Sequence, residues 1–401
     1  MMMSVGISYM GTKRELATTV SLVIADCQPG PILDVFSGMC SVGEAVAQSR
    51  QVWTNDIQVF AYEVAQALFT SQEHPLRSQA IADRYYDDFA LAYGKLSSVY
   101  GSALEAEDAV MAASNFDEFE RERRTLNVAL DCCRQVAHPQ KFHLFSKQYS
   151  DTFIGVRQAL EIDAIVTSIN SQLESSASFD HARWLTIALG RSMLRVSNTT
   201  GHFAQYLQPK IGNFRTFQRQ RKRKIWQEFL EGSDEVNPVG NSLWRKNNKT
   251  FNSDTLLLLP KLLNEEERPA VIYADPPYTN DQYSRYYHLL DTLVLYDYPT
   301  MTGKGLYRPD RFSTNFSLKA KAATAMDSLV QSSAQLGSDI VLSYPSNGLV
   351  YSAGIDPLEI LKRHYGTVEV CHSIGHDHST FGASKGSAKS SVVEMIYRGR
   401  L

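Results

Sequence analysis

The sequence predicts an α/β fold in which one largely parallel sheet is divided by a long, mainly helical insertion. Three observations point to it. Short apolar runs that stop at glycine or proline turns occur towards both ends of the 401 residues, as buried parallel strands do. Between them, from about residue 71 to 265, apolar side chains recur at three- and four-residue steps instead. Neither zone contains an internal repeat or a low-complexity tract. With 43% hydrophobic and 21% charged residues, the composition excludes a disordered or fibrous chain.

The elements follow in order. Pro31-Ile32-Leu33-Asp34-Val35-Phe36 reads as a buried strand ending at Ser37-Gly38, and Val52-Trp53-Thr54-Asn55-Asp56 as a second. A helical stretch around Glu44 to Ala47 lies between them, which makes a right-handed βαβ unit. In the insertion, Ile81, Tyr85, Phe89, Ala92, Leu96 and Val99 have helical spacing, and Asp117 to Arg124 reads as a solvated helix face. Trp184, Ile187, Ala188 and Leu194 mark another amphipathic helix, followed by a polar loop from Val196 to Gly201. Strands return at Ala270–Ala274 and Asp339–Tyr344, and Thr367–Ser373 with Ser391–Arg398 form an expected hairpin. The expected domains are therefore 1–70 with 266–401, forming the sheet, and 71–265, forming the insertion. Two independent α/β domains are the alternative.

Charge and cysteine usage narrow the function classes. With 40 basic and 43 acidic residues the net charge is −3, so a nucleic-acid partner has to be met by a local patch. No apolar run approaches the ~18 residues that cross a bilayer, and Met1 to Arg14 lacks the apolar core of a signal peptide. Five cysteines without paired Cys-x-x-Cys spacing argue against a disulfide framework or a structural zinc site, and read as reduced thiols of a cytoplasmic protein. His372, His376, Asp377 and His378 could be taken for metal ligands, but the glycines and serines through Ser387 suggest a loop between strands; no metal is expected.

Three segments carry chemistry. In Asp34-Val35-Phe36-Ser37-Gly38-Met39-Cys40, a glycine directly after a strand lets a ligand approach the backbone. Asp56, at the end of the next strand, is placed to accept hydrogen bonds from a ribose diol. A structural turn is the plainer reading of this glycine pattern alone. Asp275-Pro276-Pro277-Tyr278 is more specific: it follows a buried strand, and its prolines stiffen it and remove N–H donors. A carboxylate, a rigid carbonyl and an aromatic face within four residues suit a planar amino-purine. Tyr9-Met10-Gly11-Thr12-Lys13 is a glycine turn with a base before a helix.

In that order the three segments resemble the D12 class of DNA adenine-N6 methyltransferases related to the Dam enzymes (alpha motif order). The resemblance covers about 1–70 and 266–401. Cys40 stands where the family has the second glycine of its cofactor motif, and Thr12 where it has another glycine. The resemblance implies a Rossmann-like S-adenosylmethionine-dependent methyltransferase sheet of seven strands, one antiparallel and supplied by the last hairpin. It implies S-adenosylmethionine as cofactor, contacted by Tyr9, Lys13, Asp56 and Asp275, with Asp34, Phe36 and Gly38 at the same pocket. It also implies catalysis by Asp275, Pro276, Pro277 and Tyr278 on an adenine flipped out of double-stranded DNA.

Lys210, Arg215, Arg219, Arg221, Lys222, Arg223 and Lys224 form the densest basic run, without an acid among them. For an arbitrary protein this is a solvated face; in a DNA methyltransferase it is the expected phosphate contact. The alternatives are a cytosine-N4 or RNA methyltransferase, or an inactive DNA-binding subunit. Cytosine-N4 enzymes commonly have Ser at the position of Asp275, and many RNA enzymes have Asn. The insertion could serve homodimerisation as readily as DNA reading, and the sequence does not reveal whether a cognate restriction endonuclease exists.

Overall fold

A computed structural model describes residues 5–7, 15–47, 49–136, 141–175, 177–378 and 390–401. The chain forms two compact units: Tyr9–Thr70, Val239–Ser284 and Phe312–Leu401 in one, and Met1–Ser8, Ser71–Pro238 and Arg285–Arg311 in the other.

The first unit is built on a seven-stranded sheet. Its strands are β1 (Ile32–Asp34), β2 (Val52–Asn55), β3 (Lys249–Phe251), β4 (Val271–Ala274), β5 (Asp339–Pro345), β6 (Thr367–His378) and β7 (Ser390–Arg400), in the order β3-β2-β1-β4-β5-β7-β6. Pairing is parallel from β3 through β5, and β7 runs antiparallel to both β5 and β6. The one antiparallel strand implied by the resemblance is thus β7. Every residue of β1, β2, β4 and β5 is buried, as strands covered on both faces must be.

Among the described residues the α-helices are, in order, α1 (Ala17–Ala25), α2 (Ser41–Val46), α3 (Val59–Phe69), α4 (Ser78–Ala112), α5 (Phe116–Gln135), α6 (Leu144–Gln148), α7 (Val156–Ser175), α8 (Phe179–Val196), α9 (Phe214–Arg221), α10 (Ile225–Glu235), α11 (Ser242–Arg245), α12 (Thr255–Leu262), α13 (His288–Leu295), α14 (Ala322–Gln335), α15 (Leu349–Ser352) and α16 (Pro357–Lys362). On the sheet, Leu258, Leu259 and Leu262 of α12 and Met326, Leu329 and Val330 of α14 close one core with Leu33, Trp53, Ile272 and Ile340. In the helical unit, α4 packs against α5 and α7, and α8 against α10. The helical spacing read from Ile81 to Val99 belongs to α4, and Ile81, Tyr85, Phe89, Ala92 and Leu96 are its buried stripe.

Two expected boundaries need correction. Residues 249–251, placed in the insertion, are strand β3, paired in parallel with β2; the sheet unit resumes at Val239 rather than at 266. Three residues with one aromatic side chain carry too little apolar pattern to announce a strand. Residues 285–311, placed with the sheet, belong to the helical unit, where α13 buries Leu289, Leu290 and Leu293 and His288 Nε2 lies 3.0 Å from the carbonyl of Phe203. Among the described residues, no helix is long and apolar enough to cross a membrane. The loop expected through Ser387 lies outside the described residues.

Candidate active site

The order β3-β2-β1-β4-β5 reverses direction between β1 and β4, and open α/β sheets bind ligands at the carboxyl ends of strands where that happens. Asp34 is the last residue of β1, Asp56 follows β2, and Asp275 follows β4. Adjacent strands therefore bring segments 240 residues apart in sequence to one edge.

Each turn is fastened. The amide of Val35 donates to Tyr273 O at 3.1 Å and that of Ser37 to Asn55 O at 3.0 Å. Asn55, fully buried, donates to Val35 O and Ser253 O, and Thr255 Oγ1 also donates to Val35 O, at 2.8 Å. Asp56 accepts from the amides of Gly38 and Gln58, both at 2.8 Å, and Asn252 Nδ2 donates to its carbonyl. Asp56 thereby clamps the glycine turn. A carboxylate has about four acceptor positions, so ligand hydroxyls can still be received. Across the cleft, Thr314 N donates to Gln282 Oε1 and Ser317 Oγ to Asp281 O. Leu349 N donates to the carbonyl of Tyr278 at 3.1 Å, and Phe36 meets Phe316 edge-on with ring centres 5.2 Å apart.

These turns enclose a cleft whose empty space, with the open solvent at its mouth included, is about 810 Å³. Asp34, Phe36, Gly38, Asp56 and all of Asp275, Pro276, Pro277 and Tyr278 line it. Met39, Ser41, Val42, Ile57, Tyr273, Tyr283, Phe312 and Thr314 complete the wall and were not singled out from sequence. Ser41, Val42 and Ile57 could have been found as neighbours of the turns. Tyr283, Phe312 and Thr314 follow no local signal. Tyr9 and Lys13 lie outside the described residues.

Among the described residues, three acids and no base stand on that wall. Burial pushes the Asp34 carboxyl well above the usual carboxylate range, and the charges of Asp275 and Asp56 add to the shift. Burial also raises Asp56, to about 6, against the opposing pull of the amides of Gln58, Gly38 and Ile57. The carboxylates suit a ligand with hydroxyl donors or a cationic centre, and Phe36 and Tyr278 offer faces for a flat ring, so these residues fit S-adenosylmethionine.

Gly38 and Cys40 both adopt left-handed backbone, with φ of 48° and 66°. Position 40 thus demands a conformation that glycine takes freely and cysteine does not, which suits the glycine that the resemblance implies there. The Cys40 side chain is fully buried and is not part of the cleft wall, so the substitution strains the turn without narrowing the site.

A model of the D12 class N6 adenine-specific DNA methyltransferases matches residues 9–342. The chain belongs to that family. Similar curated proteins are the modification methylase LlaI of Lactococcus lactis subsp. lactis, 25% identical over 399 residues (97% of this chain and 54% of that protein), and the type II methyltransferase M.FokI of Planomicrobium okeanokoites, 25% identical over 361 residues (89% and 47%). The modification methylase StsI of Streptococcus sanguinis is 23% identical over 353 residues (85% and 44%). The chain spans about half the length of the curated relatives it matches.

In the helical unit of this D12-family chain, the basic run does not present all its charges outward. Arg221 is a correction to the expected DNA contacts. Its side chain is 1% exposed, lies 4.0 Å from Asp151, donates to Thr152 O and covers the ring of Phe217. Burial lowers its pKa to about 10, opposed by Asp151 and Glu107. Arg223 is tied to Glu228 and to the carbonyl of Arg195, and Arg215 to the carbonyls of Ala113 and Ser114. Lys210, Arg215, Arg219, Lys222 and Lys224 are exposed, Arg215 with its guanidinium held by those carbonyls. The helical period of α9 turns one side of the run inward, so charge density in the sequence overstated the outward charge.

Proposed function

We propose that this chain transfers a methyl group from S-adenosylmethionine to N6 of an adenine swung out of duplex DNA, as the modification activity of a restriction-modification system or as a solitary methylase. One observation carries the reading: Asp275-Pro276-Pro277-Tyr278 stands at the end of β4 in the same acid-lined cleft as Gly38 and Asp56. Membership of the D12 class and the names of the similar modification methylases support it.

S-adenosylmethionine supplies an electrophilic methyl group on a sulfonium. Asp56 would hold its ribose hydroxyls, with Phe36 and Gly38 beside it; Tyr9 and Lys13 are the family-implied partners of the rest. An exocyclic adenine amine is a weak nucleophile because its lone pair is delocalised into the ring. The Asp275 carboxylate and the Pro276 carbonyl would accept hydrogen bonds from its two N–H groups and draw the nitrogen towards tetrahedral geometry; the freed lone pair would take the methyl as the S–C electron pair leaves on the thioether, and the excess N–H proton would pass by way of Asp275 to solvent. Tyr278 would stack on the extruded base, since the reacting nitrogen is out of reach inside a duplex. The sheet unit would thus be the catalytic domain. The helical unit would recognise the target, with Lys210, Arg219, Lys222 and Lys224 neutralising phosphates.

The test is incubation with tritiated S-adenosylmethionine and mixed-sequence duplex DNA, followed by nucleoside analysis and methylation-sensitive sequencing. Label in N6-methyladenine at one sequence context is the expected result. Label in N4-methylcytosine, or label only when RNA is offered, replaces the substrate; no transfer to any of them returns the chain to the inactive-subunit reading.

A further inference from the structure

The basic segment is held from within by α7. Lys222, Arg223 and Lys224 form the turn between α9 and α10. Two side chains of α7, three residues apart and so on one helix face, reach that turn. Gln158, 1% exposed, donates from Nε2 to the carbonyls of Gln220 and Arg223, at 2.8 and 2.9 Å, and its Oε1 accepts from Gly155 N at 2.9 Å. Glu161, also buried, accepts from Trp226 N at 3.1 Å in the first turn of α10. Arg223 turns inward to Glu228 and to the carbonyl of Arg195, which leaves Lys222 and Lys224 exposed on either side of it.

Local rules do not ask for this arrangement. Lys224 stands at the N-cap of α10, where Ser, Thr, Asp or Asn would accept from the first amides, and its side chain makes no cap. A cation there also faces the positive end of the helix dipole. The cap comes instead from Glu161. Burial raises that carboxyl to about 7, against the pull of the Trp226 and Ile225 amides and the charges of Lys224 and Arg157. Gln158 likewise places a polar amide in the interior, where an apolar side chain would need no partners. Lysine at position 224 therefore costs the helix stability, and two buried polar groups of α7 offset that cost.

We propose that Gln158 and Glu161 are positioning residues for DNA: they hold the Lys222–Lys224 turn so that both lysines meet phosphates. Donors on a fixed turn lose less freedom on binding than donors on a mobile loop. The inference rests on the reading of duplex DNA as substrate. It gives a role to two side chains that would not touch the DNA themselves.

Duplex binding by the full chain is measured against salt, together with the melting temperature. Each phosphate contact contributes about 0.9 to the slope of log affinity against log salt. Lys224→Ser supplies the missing cap, so it is expected to raise the melting temperature and yet flatten the slope by ~0.9. Gln158→Met and Glu161→Leu should each flatten it by ~1–2 units, and by nothing further once Lys222 and Lys224 are both Ser. Glu161→Gln keeps an acceptor for Trp226 N and should retain the wild-type slope. If Gln158→Met does not fold, Glu161→Leu and Lys224→Ser decide by the same criterion. A purely structural role lowers the melting temperature of the α7 variants and leaves every slope unchanged. That result, or an equal loss of slope with and without the two lysines, overturns the positioning role and leaves the methyltransferase reading intact. A wild type that neither binds nor methylates any duplex overturns both.

Discussion

The acid-lined cleft of the sheet unit and the basic segment of the helical unit were both conspicuous by residue type, and they differ in how residue type became structure. In the cleft, Asp34, Phe36, Gly38, Asp56 and the Asp275–Tyr278 segment all reach one wall. In the basic segment, Arg221 turned inward to Asp151 and Arg223 to Glu228, and Arg215, though exposed, is held by backbone carbonyls, while Lys210, Arg219, Lys222 and Lys224 stayed exposed. The cleft residues sit on strand ends, where the backbone itself fixes which way a segment faces. Charge in a helical run says only that solvent or acids are near, and α4 and the loop before α7 provided the acids Glu107 and Asp151.

The contrast can be broken first at Arg221. If it is a buried structural cation, Arg221→Ala removes a buried charge from Asp151 and Glu107, leaving Asp151 to Arg123 and Glu107 to the amides of Val156 and Arg157, and should cost about 2–3 kcal/mol of stability in chemical denaturation. Lys222→Ala, one residue on, should stay within about 0.5 kcal/mol. Equal, small effects would return Arg221 to the surface.

Asp56 sharpens the other side. Removing its charge-assisted hydrogen bonds with Asp56→Asn should weaken cofactor binding by ~1–3 kcal/mol in calorimetry. Its raised value of about 6 sets the pH dependence. On the proposed reading the ionised form would receive the ribose hydroxyls, so wild-type affinity should fall as pH drops through about 6, and the variant should lose that dependence. Stability moves the opposite way. A raised carboxyl favours folding below its ordinary value, and that contribution is lost as pH rises through about 6. Asp56→Asn should therefore gain melting temperature relative to wild type on going from pH 4 to pH 8.

A smaller change is expected from the exposed bases. Replacing Lys210, Arg219, Lys222 and Lys224 with Ser should flatten log affinity against log salt by up to ~3–4 units, at about 0.9 per phosphate contact, and leave cofactor affinity alone. An unaltered slope would make the segment a solvated face. The smallest effect belongs to Cys40→Gly. Relief of about 1–2 kcal/mol of left-handed strain is offset by ~0.5–1 kcal/mol of added chain entropy, so denaturation should move by less than about 1 kcal/mol. Cofactor affinity should not change, because Cys40 is not part of the cleft wall.

Legibility followed the same division. The strands at 32–34, 52–55, 271–274 and 339–345 were readable because burial on both faces makes them continuous apolar runs, and their ends announced the site. β3 was not, because Lys249-Thr250-Phe251 is half-buried at the sheet edge and takes its identity from pairing with β2. Nor was the return of 285–311 to the helical unit, since α13 is apolar in a way that would suit either core. Tyr283, Phe312 and Thr314 reach the cleft through the tie between Gln282 and Thr314, a contact that no local pattern encodes.

The central claim is that the chemistry resides in the cleft, apart from the grip on DNA, and Asp275→Ala tests it most directly. Turnover with methyl-labelled S-adenosylmethionine and salt-dependent duplex binding are measured on the same preparation. The account predicts that N6-methyladenine formation falls by at least about a hundredfold, as when a principal transition-state contact is removed, while the salt slope of binding keeps its wild-type value. Wild-type turnover in Asp275→Ala, or a slope that collapses together with turnover, would contradict it.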